Sequence, residues 1–169
     1  MLDVYQRQSA PEQAEIVAFW LEQQLLPPAE AQRRVDEVCF LVRAGSDALV
    51  GIGSLYPGEL ADNGQERRVL YYRSHLHPSA RGHVRLAVGL LQAMRALLAD
   101  PRLGRGGATA IAFETENPRL MSRAWRRLFT RQGWRRVGAS ACGRDLWISE
   151  NIPGETPDRR PSSRMNHDC

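Results

Sequence analysis

Lysine is missing from this chain of 169 residues, and all 23 of its basic side chains are arginine. Cysteine is nearly missing too. Cys39, Cys142 and Cys169 are odd in number and far apart, which excludes a disulfide framework and a paired-ligand zinc site and points to a reducing compartment. No stretch approaches 18 consecutive apolar residues. The best candidate, Ile16 to Leu26, is broken by Glu22 and two glutamines, so a membrane-spanning helix is excluded. The opening Met1-Leu2-Asp3 carries neither a basic leader nor an apolar signal core, and we expect a cytoplasmic protein. Internal repeats are absent as well. What remains is one domain's worth of sequence, 43% apolar, with a net charge of +4.

The composition divides the chain at residue 150. Residues 151–169, NIPGETPDRRPSSRMNHDC, contain three prolines and no aromatic residue. That is too little apolar surface to offset chain entropy, and we expect a flexible tail. The first 150 residues punctuate into elements. Leu2 to Gln8 reads as a short strand. Pro11 opens a helix with Ile16, Val17, Trp20, Leu21 and Leu25 on one side, and Ala29 to Val35 reads as a second helix. Val38 to Val42 and Leu49 to Tyr56 form a hairpin about Ser46-Asp47. A polar loop with Pro57, Gly58, Asn63 and Gly64 leads to a strand from Val69 to His77. Ala80 to Ala99 is a long amphipathic helix, and Gly104 to Gly107 lies in a loop. Ala108 to Phe113 is a buried strand, a helix starts at Asn117-Pro118 and ends at Gly133, and Trp134 to Val137 and Asp145 to Ile148 are the last strands. The order β, α, α, β, β, β, α, β, α, β, β predicts an α+β (mixed α/β) layer fold.

The segment most suggestive of chemistry is VLYYRSHLHPSARGHVRLAVGLL, Val69 to Leu91. Pro78 ends the strand, Arg81-Gly82 turns the chain, and the long helix starts at once. Helix-start amides have no internal partner and suit a phosphate, and Arg81, His83 and Arg85 add positive charge. Within the strand, alternation puts Tyr71, Arg73, His75 and His77 on one face and Leu70, Tyr72, Ser74 and Leu76 on the other. The second face is apolar enough to be core, leaving the polar face for a ligand. His75-x-His77 with His83 could chelate a metal, but no carboxylate or cysteine stands at a companion spacing, and we expect none.

These residues resemble the GNAT acyltransferase superfamily, in which a strand ending near a proline is followed by Arg-x-x-Gly-x-Gly or Ala and a helix gripping the coenzyme A pyrophosphate. Pro78, Arg81-Gly82 and the helix match, while Val84 and Leu86 stand where the family has small residues. FETENP followed by a helix and Gly133-Trp134 is similar to the family's fifth strand and its Asn…Gly-Phe/Trp signature, with Asn117 as the asparagine. Phe129 occupies the position of the family's general-acid tyrosine and has no proton to donate.

The resemblance implies a GNAT-like splayed mixed sheet with helices on both faces, and acyl-CoA-dependent N-acyl transfer to an amine. Acetyl-CoA would be held by Leu76 (through a backbone N–H near it), Arg81, Gly82, His83, Val84, Arg85 and Asn117. A base is required for the amine, and His75 or Glu114 would serve. The departures at Val84, Leu86 and Phe129 favour the alternative, a catalytically silent binding or structural subunit of the kind found in bacteriophages, which would sit in a virion.

Seven arginines and no acidic residue lie between Arg119 and Arg136. Arg119, Arg123, Arg126, Arg127 and Arg131 recur every three to four residues and are expected to form one helix stripe, with Leu120, Ala124 and Leu128 on the adjacent core face. Such a stripe could face solvent, an acidic protein, nucleic-acid phosphates or the adenosine 3′-phosphate of coenzyme A.

Overall fold

Apolar residues at helical and strand spacing assemble into one seven-stranded sheet with helices on both faces. The structure, a computed structural model, describes residues 2–3, 7–100, 108–140 and 142–150. The proposed tail and the Gly104 to Gly107 loop lie outside the described residues. The elements are β1 (Leu2–Asp3), α1 (Ala10–Glu22), α2 (Pro28–Arg34), β2 (Val38–Arg43), β3 (Leu49–Asp62), β4 (Gln65–Leu76), α3 (Val84–Leu98), β5 (Ala110–Glu114), α4 (Arg123–Arg131), β6 (Arg135–Ala139) and β7 (Asp145–Glu150). Their order is the one expected. The sheet runs β1-β2-β3-β4-β5-β7-β6 and is antiparallel except between β4 and β5.

Core clusters line both faces of the sheet. On one face, Ile16, Phe19 and Trp20 of α1 and Ala31 of α2 pack against Val38, Leu41 and Ile52. Ser9 opens α1 with a reciprocal capping box to Glu12. Leu21, expected inside, is exposed, and Phe19 takes the inward position instead. On the other face, Leu91, Met94 and Leu97 of α3 and Phe129 of α4 cover Leu55, Tyr72, Ile111 and Phe113. Phe113, Phe129, Trp134 and Trp147 meet edge to face at 4.8–5.3 Å, the arrangement that aromatic quadrupoles favour.

The expected loop after Tyr56 is instead the continuation of a long hairpin, paired without interruption from Gly51↔Leu76 to Asp62↔Gln65. Asn63 and Gly64, at φ 52° and 77°, make its two-residue turn. Pro57 is tolerated because β2 pairs with β3 only as far as Ser54. Its missing N–H therefore faces an edge that no strand pairs with among the described residues. Gly58 is required because a Cβ there would lie 2.7 Å from the Tyr71 ring.

Two expected helices start later than their sequence pattern suggests. Pro78–Ala80 is a single 3₁₀ turn, and α3 begins at Val84. Pro118–Met121 is another 3₁₀ turn, separated from α4 by Ser122. This break changes the phase of α4, so that Trp125 and Phe129 face the core while Ala124, expected inside, is exposed.

Candidate functional site

Strand β4 leaves its neighbour part-way along. Parallel pairing with β5 is confined to Leu70↔Ile111 and Tyr71↔Ala112, while β3 stays paired to β4 as far as Leu76. Beyond Tyr71 the sheet is therefore open. His77 N–H donates to Val50 C=O at 2.8 Å, so odd-numbered residues of β4 exchange bonds with β3. The main-chain groups of Ser74 and Leu76 consequently point into the gap. The Leu76 carbonyl accepts there from Arg81 Nε at 2.8 Å. Ser74, assigned by alternation to the core face, is exposed because β5 has moved away from it, whereas Tyr72 on the same face is buried.

The start of α3 lies at the open end. Its N-cap, His83, makes no side-chain capping bond, and no acidic residue occupies the first turn. The leading amides thus keep their donors available, with the positive end of the helix dipole behind them. Gly82 holds φ 82° with open space where a Cβ would stand. Arg81, His83 and Arg85 are exposed around this turn. Val84 is 53% exposed, directed into solvent rather than core. The donor set therefore fits a phosphate-bearing ligand.

The register puts the proposed bases, on the two strands that flank the gap, on one face of the sheet. Because Tyr71 pairs with Ala112 and His75 with Ile52, the side chains of Tyr71, Arg73, His75 and Glu114 share the sheet face that α1 and α2 cover. Burial on that face pushes the His75 pKa below its ordinary value. Glu116 opposes this shift, and Arg73, Arg34 and Arg81 reinforce it. The imidazole is therefore neutral at pH 7. Burial raises the Tyr71 pKa, and Tyr56 and the Glu114 charge add to it; the Glu114 carboxylate is 3.9 Å from Arg144, which also reaches Glu116 at 3.4 Å. Tyr56 stacks on Tyr71 with centroids 5.5 Å apart, and Arg73 lies 3.6 Å above the Tyr56 ring. Tyr56 and Arg144 were not among the expected site residues. Only the pairing of β3 with β4 and of β5 with β7 brings them here.

Other expected residues are engaged locally. Asn117 Oδ1 accepts from Arg119 N–H at 3.0 Å, capping the 3₁₀ turn. His77 caps the other 3₁₀ turn, its Nδ1 accepting from Ser79 N–H at 3.2 Å. Among the described residues no cluster of three His, Cys, Asp or Glu is placed to hold a metal. Phe129 is core.

The open β4–β5 pair, with the uncapped helix directly after β4, defines the architecture. The chain has the GNAT fold. It superimposes on AAC(6′)-Ib in complex with paromomycin and acetyl-CoA with a TM-score of 0.51 at 15% identity, covering 96% of both chains. It superimposes on an acetyltransferase of the GNAT family from Streptococcus pneumoniae with a TM-score of 0.51 at 14% identity, covering 83% of this chain and 93% of that one. A probable N-acyltransferase from Enterococcus faecalis V583 is larger, and this chain spans 31% of it. No family profile and no curated protein sequence matches the chain.

The arginine segment divides in two. Arg126 and Arg136 both hold the Asp145 carboxylate, at 2.6 and 2.7 Å, with Asp145 fully buried. Arg135 holds Asp62 and Glu150, and Arg67 joins the same carboxylates. Arg126 therefore does not belong to a surface stripe, and Arg119 lies on the 3₁₀ turn rather than on α4. Asp145 was missed because its partners sit 19 and 9 residues earlier in the chain. The available clue was an acid opening an apolar strand, DLWISE.

Proposed function

We propose that this protein transfers an acyl group from acyl-coenzyme A, acetyl-CoA being the simplest donor, to an amine. The observation that carries the reading is the gap between β4 and β5 with an uncapped helix N-terminus at its end. Two solved neighbours of this fold support it, one of them carrying acetyl-CoA and paromomycin by description. The exposed thiol of Cys142 fits the cytoplasm, a reducing compartment.

The amides opening α3, with Gly82, Arg81, His83 and Arg85, would hold the phosphates, Val84 standing aside in solvent. Acyl-coenzyme A supplies an activated thioester carbonyl. The N–H of Leu76, directed into the gap, donates to the carbonyl oxygen as negative charge develops there. Neutral His75 takes a proton from the attacking amine, with Glu114 on the same face as the alternative base. A carbon–nitrogen bond forms and the carbon–sulfur bond breaks, the sulfur departing as thiolate. Phe129 supplies no proton to that thiolate.

The absence of a proton donor at Phe129 favours a second reading, a GNAT-fold subunit without catalysis. Titration calorimetry with acetyl-CoA separates the two. Saturable binding that weakens in Arg81→Ala and Arg85→Ala supports the transferase, and absence of heat at millimolar acetyl-CoA overturns it. Binding without turnover over a panel of amines supports the second reading.

A further inference from the structure

We propose that the outer surface of α4 binds the phosphate backbone of duplex DNA without regard to sequence. Arg123, Arg127 and Arg131 recur at i, i+4 and i+8 on α4, and all three are exposed. Arg119, on the turn just before, is exposed as well. None of the four takes part in an ion pair among the described residues, in contrast to Arg126, Arg135 and Arg136 in the same segment. The fold thus has acids for three arginines and leaves four of one sign together. Like charges at i, i+4 destabilise a helix, as does a cation in its first turn, where Arg123 stands. Nothing within the described chain compensates for that arrangement.

The chemistry of the surface selects the partner. Protein interfaces depend on buried aromatic or aliphatic anchors, and the exposed residues between the arginines are Ser122, Ala124 and Thr130. Single-stranded nucleic acid is held by stacking on exposed aromatic rings, whereas Trp125 and Phe129 of α4 pack into the core. Phosphate contacts need charge alone. From Arg123 to Arg131 the helix advances about 12 Å, against one duplex charge per about 1.7 Å of axis, so the row reaches several phosphates at once. Guanidinium adds bidentate bonds to each.

Fluorescence anisotropy with a 30-base-pair DNA duplex of arbitrary sequence, from 50 to 200 mM salt, tests this. With four phosphates contacted, affinity falls about 100-fold over that range, and in Arg123→Ala/Arg127→Ala/Arg131→Ala only about 3-fold. Alanine favours the helix and removes the like-charge repulsion, and a melting temperature no lower than that of the wild type shows that the variant is folded. The single variant Arg127→Ala should lose part of the salt dependence. Absence of binding at 50 mM salt, a salt-independent affinity, or wild-type binding by the folded triple variant overturns the proposal. Tighter binding to polyglutamate than to DNA also overturns it, assigning the row to an acidic protein.

Discussion

Individual side chains here take their character from partners distant in sequence. Burial works to raise the Asp145 pKa, but hydrogen bonds from Arg126 and Arg136 prevail and hold the carboxyl below its ordinary value. Replacing it, as in Asp145→Asn, leaves two half-exposed guanidinium groups without their counter-charge and should cost about 1–2 kcal/mol, read as a fall in the urea midpoint. His75 behaves in the opposite sense. Burial disfavours its charged form, so it remains neutral down to below pH 6.5. If it is the base, the acid limb of kcat/KM lies below pH 6.5. His75→Gln should then lower kcat by about 100-fold or more and abolish that limb, whereas an unchanged profile would shift the role to Glu114. The sequence could nominate both candidates, because strand alternation and residue type are local properties. It could not nominate Tyr56 or Arg144, which reach the site through long-range pairing.

The elements were largely legible, and their boundaries fail for definite reasons. Pro57 and Gly58 look like strand breakers until the edge beside Pro57 and the Tyr71 ring are known. Asn63-Gly64, by contrast, marks a hairpin turn on its own residues. Gly133 ends α4 at φ 79°, and a Cβ there would lie 2.3 Å from the Arg95 guanidinium, which reaches the carbonyl of Gln132. Gly133→Ala must therefore strain the backbone and displace Arg95 from α3. We expect a loss of about 1–3 kcal/mol, with the largest increase in amide exchange at the junction of α3 and α4. Uniform exchange across the chain would show that this turn is not the weak point. The two 3₁₀ turns follow from proline, which favours a helix start without supplying an N–H.

For the whole molecule, three carboxylates bind distant elements together. Asp62 and Glu150 join the tip of the β3–β4 hairpin to β6 and β7, and Asp145 joins β7 to α4. All three pKa values are lowered by their arginines. Their contribution is complete above the unfolded carboxylate values and is lost as pH falls through the lower folded ones. His75 adds a decline that begins nearer pH 6.5, because the unfolded imidazole binds its proton first. Urea midpoints should thus fall gently below pH 6.5 and steeply below about pH 4. A His75→Gln variant should lose only the upper part. The sequence by itself determined the order of elements, the helix that starts beside Arg81-Gly82 and the excess of arginine, because periodicity, turn chemistry and composition are written locally. Only the tertiary structure decided where the sheet opens and which arginines remain free. Both depend on strands meeting across the sheet, and the acids that neutralise Arg126, Arg135 and Arg136 stand on other strands.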